Sequence, residues 1–139
     1  MLRDIFLATY DSIRPNVSRA HIEQTVRAYL ASYAGNDIAG RRLLFAEDVV
    51  AEEPVGAVRI EGLQALTQFW RGSVEAGWTC ANHLIRLVVN GDEAMVHFRS
   101  DLSLTGEGAV TLEVFETLVF NEQGRIQRLR AYNDATCLS

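Results

Sequence analysis

Val110-Thr111-Leu112-Glu113-Val114-Phe115-Glu116-Thr117-Leu118-Val119-Phe120 carries the alternation of a β-strand. Strand side chains point to opposite faces in turn, so Val110, Leu112, Val114, Glu116, Leu118 and Phe120 share one face, and Glu116 is its sole polar member. The other face, Thr111, Glu113, Phe115, Thr117 and Val119, is mixed, which suits a partly polar interface. A carboxyl on the apolar face is costly to ionise. Such a group pairs with a base, opens to water at an interface edge, or stays protonated and donates a hydrogen bond or a proton. The last of these is a catalytic property.

Working outward from this strand, residues from Trp78 onward read as a run of four strands. Asn90-Gly91-Asp92, Thr105-Gly106-Glu107-Gly108 and Asn121-Glu122-Gln123-Gly124 separate them by turn chemistry. This is an antiparallel meander. Towards the N-terminus the period changes. Ser18 caps a helix that carries Ile22, Val26, Tyr29, Leu30 and Tyr33 on one face and ends at Gly35-Asn36. Asp37 starts a second, short helix through Leu43, Leu44 and Phe45. Val49-Val50 begins a strand running to Pro54, Gly56 turns the chain, and Val58 to Ile60 returns. A third helix follows, with Leu63, Leu66, Phe69, Trp70 and Val74 as its apolar positions. Helices first and sheet afterwards predict an α+β fold with the helices packed on one face of a strongly curved sheet.

The chain of 139 residues is of single-domain size, and 48% hydrophobic with 22% charged residues is a globular composition. Residues 1–17, with Leu2, Ile5, Phe6 and Tyr10 on one side of a short helix, read as an accessory segment ahead of a domain at 18–139. A net charge of -5 leaves no basic excess for nucleic acid or an anionic membrane. Arg125, Arg128 and Arg130 alternate with apolar residues and read as the solvated face of a strand. No apolar run is long enough to span a membrane or to serve as a signal peptide. Cys80 and Cys137 lack CxxC spacing and read as structural thiols, which fits a reduced, cytoplasmic protein.

Three polar residues are turned inward by these periods: Tyr29 on the first long helix, Glu53 at the end of the first strand through the alternation Val49, Ala51, Glu53, Val55, and Glu116. Adjacent Glu52 then points the other way. If the sheet folds over the helices, the three converge on a cavity lined by Phe45, Val55, Trp70, Phe98 and Leu118. A phenol and a neutral carboxylic acid are donors to a developing oxyanion, and an ionised carboxylate beside them is a base.

Arg27-Ala28-Tyr29-Leu30, Gly35-Asn36-Asp37, the run from Phe45 to Gly56 and the late pieces Leu112-Glu113-Val114-Phe115-Glu116, Phe120 to Gln127 and Ala131-Tyr132 together resemble the ketosteroid isomerase and SnoaL-like branch of the nuclear transport factor 2-like superfamily. The resemblance spans roughly residues 19 to 133 and implies a cone-shaped fold: three helices against a curved, antiparallel-rich sheet. It also implies an isomerase that needs no cofactor or metal, acts on a steroid or polyketide in an apolar cavity and forms a homodimer. Tyr29 then falls on the oxyanion-hole tyrosine, Glu53 on the base and Glu116 on the protonated acid; the last role is that of a carboxylic acid kept neutral by an apolar site. The chain departs from the family where both acids are glutamate rather than aspartate. Trp70 and Phe45 stand where some members place supporting tyrosines, and Asn133 where a tryptophan often packs on substrate.

Other candidates remain beside this constellation. His83 and His97 lie on meander strands, as histidines do in SnoaL-like dehydratases. If Phe98 enters the cavity His97 points away, whereas His83 stays a candidate catalytic residue; two histidines with no third ligand make no zinc site. Alternative functions are a natural-product cyclase or epoxide hydrolase using the same acid pair, and a non-catalytic small-molecule-binding module.

Overall fold

A computed structural model describes residues 1–139. The elements in chain order are helices α1 (Leu2–Asp11), α2 (Arg19–Ala31) and α3 (Ile38–Arg42), strands β1 (Phe45–Glu52) and β2 (Arg59–Glu61), helix α4 (Leu63–Glu75), and strands β3 (Trp78–Asn90), β4 (Glu93–Leu104), β5 (Gly108–Phe120) and β6 (Ile126–Tyr132). A short 3-10 turn, Ala135–Cys137, ends the chain. The six strands form one curved sheet in the order β2-β1-β6-β5-β4-β3, antiparallel throughout except where β1 runs parallel to β6. This is the α+β cone expected from the sequence.

Local chemistry sets the helix starts. Ser18 accepts a hydrogen bond from the His21 amide and Asp37 one from the Gly40 amide, each satisfying a donor that a helix N-terminus leaves unpaired. The junction of α3 and β1 differs from the sequence reading. Helix α3 ends at Arg42, and Phe45 already belongs to β1, because its backbone pairs with Ile126 of β6. The amide of Ile126 donates to the Leu44 carbonyl at 2.8 Å, locking this start.

The inner face of the sheet follows the strand period. Ala94, Val96 and Phe98 of β4, Val114 and Leu118 of β5, and Leu129 and Ala131 of β6 pack with Ile22, Val26 and Leu30 of α2 and Leu63 and Leu66 of α4 in one core. The apolar face of β5 is buried only from Val114 onward; Val110 is 46% exposed, since the strand runs out past the helices. Strand β3 contains a bulge between Leu84 and Arg86 that leaves Ile85 unpaired and 55% exposed. The bulge lets Leu84 and Leu87 both pack on the core, although their spacing would separate them in a regular strand. In the β5–β6 turn, Gly124 adopts φ +76°, and a Cβ there would meet His21 Nε2 at 2.7 Å. Glycine is required on both grounds.

Residues 2–11 form the helix expected of the accessory segment, and none of its residues is buried. The junction is pinned by Asp92. Its carboxylate accepts from the Asn16 and Val17 amides at 2.9 and 3.0 Å and from Asn16 Nδ2 at 2.9 Å. These bonds, the Val17 amide first, hold the Asp92 carboxyl below the usual aspartate range. No helix is long and apolar enough to cross a membrane.

Candidate active site

Between α2, α3, α4 and the open half of the sheet lies a cavity of about 390 Å³. Tyr29, Tyr33, Arg41, Glu53, Trp70, Phe98, Glu116 and Asn133 line it together with Val114, Leu112 and Ala131. Phe69, Val74 and Trp78, each more than a third exposed, also contribute to its wall. The lining is mostly apolar with a few polar groups, the usual make-up of a site for an apolar small molecule.

Glu116 is 4% exposed. The β5 register sets it opposite Val96 on one side and Ala131 on the other, so neither neighbouring strand offers a polar partner. Its Oε1 is sealed from solvent and makes no hydrogen bond. Burial first, and the charge of Glu53 second, push its carboxyl well above the ordinary glutamate range. An unpaired buried carboxylate would be far costlier than a neutral acid, so the fold favours the protonated form of Glu116.

Glu53 reaches the same cavity from just beyond β1. Val49 and Ala51 are fully buried on the face that Glu53 continues, while Glu52 points away. Glu52 Oε1 accepts from Arg130 Nε at 3.0 Å, with Arg59 and Arg128 each at 3.8 Å. This is the solvated arginine face read from β6. Burial raises the Glu53 carboxyl to about 7, and the nearby Arg41 charge opposes part of that rise. The cavity thus holds two acids with separated protonation behaviour, one neutral and one poised to titrate near physiological pH.

Tyr29 is 3% exposed, and its hydroxyl accepts from the Tyr33 hydroxyl at 3.2 Å. Burial raises both phenols, and both feel the negative charge of Glu53 and Glu116. Each tyrosine remains a proton donor at neutral pH. The Tyr29 ring meets Phe45 edge to face at 5.6 Å between centroids, and Phe45 meets Trp70 at 5.3 Å. Packed edge to face in this way, the three rings fix the angle of the Tyr29 hydroxyl.

Tyr29, Glu53, Glu116, Trp70, Phe98 and Asn133 therefore share one cavity, and four expected residues do not join them. Phe45 and Leu118 face inward as the period demands but lie beneath the cavity in the packed core, 2% and 0% exposed. Val55 lies outside it because β1 ends at Glu52 and the chain turns, so the alternation that placed it inward has stopped. The Val55 amide instead donates to the Ala131 carbonyl at 2.9 Å. His83 sits on the outer face of β3, opposite Arg99, with Nε2 2.9 Å from Asp101. His97 is also outward, stacked on Phe115 and 2.6 Å from Glu113. Cys80 does line the cavity, and burial raises its thiol, which keeps it an inert SH group.

Tyr33 and Arg41 are among the lining residues not singled out by sequence. Tyr33 was visible only as an apolar helix position, although its i+4 spacing from Tyr29 is the signal for a phenol pair. Arg41 is 2% exposed on a helix too short to show a period.

A curved sheet wrapped over helices, with a mostly apolar cavity at its open end, is a fold of the nuclear transport factor 2-like superfamily. Within it, residues 26–129 match the SnoaL-like domain, and the chain belongs to that family. It is 28% identical over 113 residues to a steroid Delta-isomerase of Nocardioides simplex, covering 81% of this chain and 89% of that protein. Its fold is similar to that of an epoxide hydrolase of M. tuberculosis described as LEH-like, with a TM-score of 0.75, 21% identity and coverage of 85% and 86% of the two chains. It is also similar to the epoxide hydrolase/cyclase-like enzyme SalBIII, which takes part in pyran ring formation in the polyether salinomycin, with a TM-score of 0.76, 18% identity and coverage of 84% and 93%.

Proposed function

We propose that the protein is a cofactor-independent isomerase of the steroid Δ-isomerase kind, with Glu53 as base and Tyr29 and Glu116 as oxyanion donors. The observation that carries this reading is the buried Glu116 carboxyl, neutral and with an unpartnered oxygen, in the same cavity as a second acid raised to about 7. A ketone oxygen that gains negative charge supplies the acceptor that Glu116 and Tyr29 lack. The N. simplex steroid isomerase supports the same choice.

In the proposed reaction ionised Glu53 removes a proton from the carbon between a ketone and a nearby double bond. The electrons move onto the ketone oxygen, giving a dienolate and a neutral Glu53. Tyr29 and Glu116 hydrogen-bond that oxygen more strongly than they bond the neutral ketone, which lowers the barrier. Glu53 then returns the proton to the far carbon of the diene and regenerates its carboxylate. The product is the conjugated enone, and no other reactant is consumed.

The same reading takes the outer face of the sheet as a homodimer interface, since Met95, Phe115 and Tyr132 are 55%, 38% and 41% exposed. A second reading keeps the acid pair and changes its work: neutral Glu116 protonates an epoxide oxygen while Glu53 activates the nucleophile that opens the ring. It is favoured by the contrast between the two carboxyls. The test is conversion of a Δ5-3-ketosteroid to its conjugated enone by the unmutated protein, followed by absorbance, beside a panel of epoxides. Enone formation is the expected result. No turnover of the ketone rejects the isomerase, and ring opening of an epoxide in its place establishes the second reading.

A further inference from the structure

The cavity wall contains a buried cation that forms no salt bridge. Arg41 is 2% exposed, and no carboxylate forms a salt bridge with it. Its Nε donates to Ser32 Oγ at 2.8 Å and its Nη2 to the Ser32 carbonyl at 3.2 Å, while Nη1 has no hydrogen-bond partner. The guanidinium carbon lies 3.6 Å from the centroid of the Tyr33 ring and 4.8 Å from that of Trp70. Two aromatic faces and a serine thus hold the group in a set orientation before any ligand arrives. Trp70 Nε1, also buried, has no partner either.

Cation–π contacts offset part of the cost of burying a guanidinium, but they do not neutralise it. Within the cavity Glu116 is neutral, and Glu53 is the one acid that can ionise, yet it lies beyond salt-bridge distance of Arg41. A planar guanidinium with an unused N–H edge matches a carboxylate, which takes charge-assisted hydrogen bonds at that edge. Arg42, the next residue, shows the contrast: its Nη1 is occupied by Thr67 Oγ1 at 2.6 Å.

We propose that Arg41 receives a carboxylate of the ligand, so that the substrate is an apolar ketone bearing one carboxylic acid group. This rests on the isomerase reading for the ketone alone; the carboxylate subsite follows from Arg41 and its surroundings. Lining by Phe69, Trp70, Val74, Trp78 and Phe98 keeps the rest of that molecule apolar.

The test is binding rather than turnover. Trp70 and Trp78 are the two tryptophans of the chain, and both line the cavity, so their fluorescence reads its occupancy. Affinities are measured for two matched pairs, a 3-oxo-steroid 17-carboxylic acid with its methyl ester and 2-naphthoic acid with its methyl ester. For the unmutated protein each acid binds at least about tenfold tighter than its ester, a gap of roughly 1.4 kcal/mol. Arg41→Met abolishes that preference while ester affinity stays within about twofold, and Arg41→Lys keeps part of it. Equal or tighter binding of the esters by the unmutated protein overturns the proposal without any variant, as does an acid preference that survives Arg41→Met. Failure of the isomerase reading shows separately, as absent enone formation with the acid preference intact.

Discussion

The Tyr33 hydroxyl donates to the Tyr29 hydroxyl across 3.2 Å, one helical turn further along the chain. The bond leaves the Tyr29 proton free for a ligand oxygen, and it strengthens as negative charge moves toward Tyr29. Tyr33→Phe is expected to lower kcat about three- to tenfold with little change in KM. Tyr29→Phe removes the donor itself and is expected to cost about 10²–10³ in kcat. Steady-state kinetics on the two variants check this order; a larger loss for Tyr33→Phe would reverse the roles.

Glu53→Gln keeps the shape of the side chain and deletes the base. General-base removal costs about 10²–10⁴ in rate, and that loss is expected in kcat. Binding of a dienolate-like phenol, followed by tryptophan fluorescence, is expected to survive. A variant that loses both would show that Glu53 holds the ligand.

Activity is expected to rise with pH through about 7, because the reaction needs Glu53 ionised and burial holds its carboxyl at about 7. Below that point the free enzyme holds the proton, and log kcat/KM falls with unit slope. A profile flat from pH 5.5 to 8.5 would remove Glu53 as the base.

Stability is expected to run the other way. Both cavity glutamates have folded-state pKa values raised above the ordinary value of 4.5, so the folded chain binds more protons than the unfolded one and loses stability as pH rises. Glu53 contributes its share by about pH 7. A further decline between pH 7.5 and 8.5 belongs to Glu116, whose carboxyl is held well above the ordinary range, and up to about 1.4 kcal/mol per pH unit corresponds to several degrees in Tm. Thermal melts of Glu116→Leu across this window are expected to be flat where the unmutated protein falls.

Asp92→Ala removes the acceptor that ties Asn16 and Val17 to the β3–β4 turn. Cleavage within residues 1–17 by a low dose of protease is expected to quicken severalfold, since α1 buries nothing of its own. The melting of the remaining domain is expected to shift little.

Where a residue sits on a long regular element, its direction was legible from spacing. Glu116 and Tyr29 were placed by the strand and helix periods, the alternation of β1 still held one residue past its end at Glu53, and all three line the cavity. Spacing gives a direction but no depth, which is why Phe45 and Leu118 looked like lining and are core. It also lapses where an element stops, and so Val55 went astray one turn beyond β1. The outward turn of His83 depends on its pairing with Arg99, a register that only the neighbouring strand defines. Arg41 was the least legible. A charged residue on a five-residue helix reads as exposed, and its burial depends on Tyr33, Ser32 and Trp70 arriving from two other helical segments.

The bulge at Ile85 divides β3 into two stretches with different obligations. Leu87 and Val89, beyond the irregularity, belong to the packing that keeps the chain folded, and Leu84 at its edge closes the core, whereas Trp78, Cys80 and Asn82, before the irregularity, border the ligand space. Substitutions among the latter three can reshape what the protein accepts while the register of the core stretch stays fixed. Ligand preference and foldedness are thereby uncoupled along a single strand, an arrangement that gives the scaffold room to change substrates by small mutational steps.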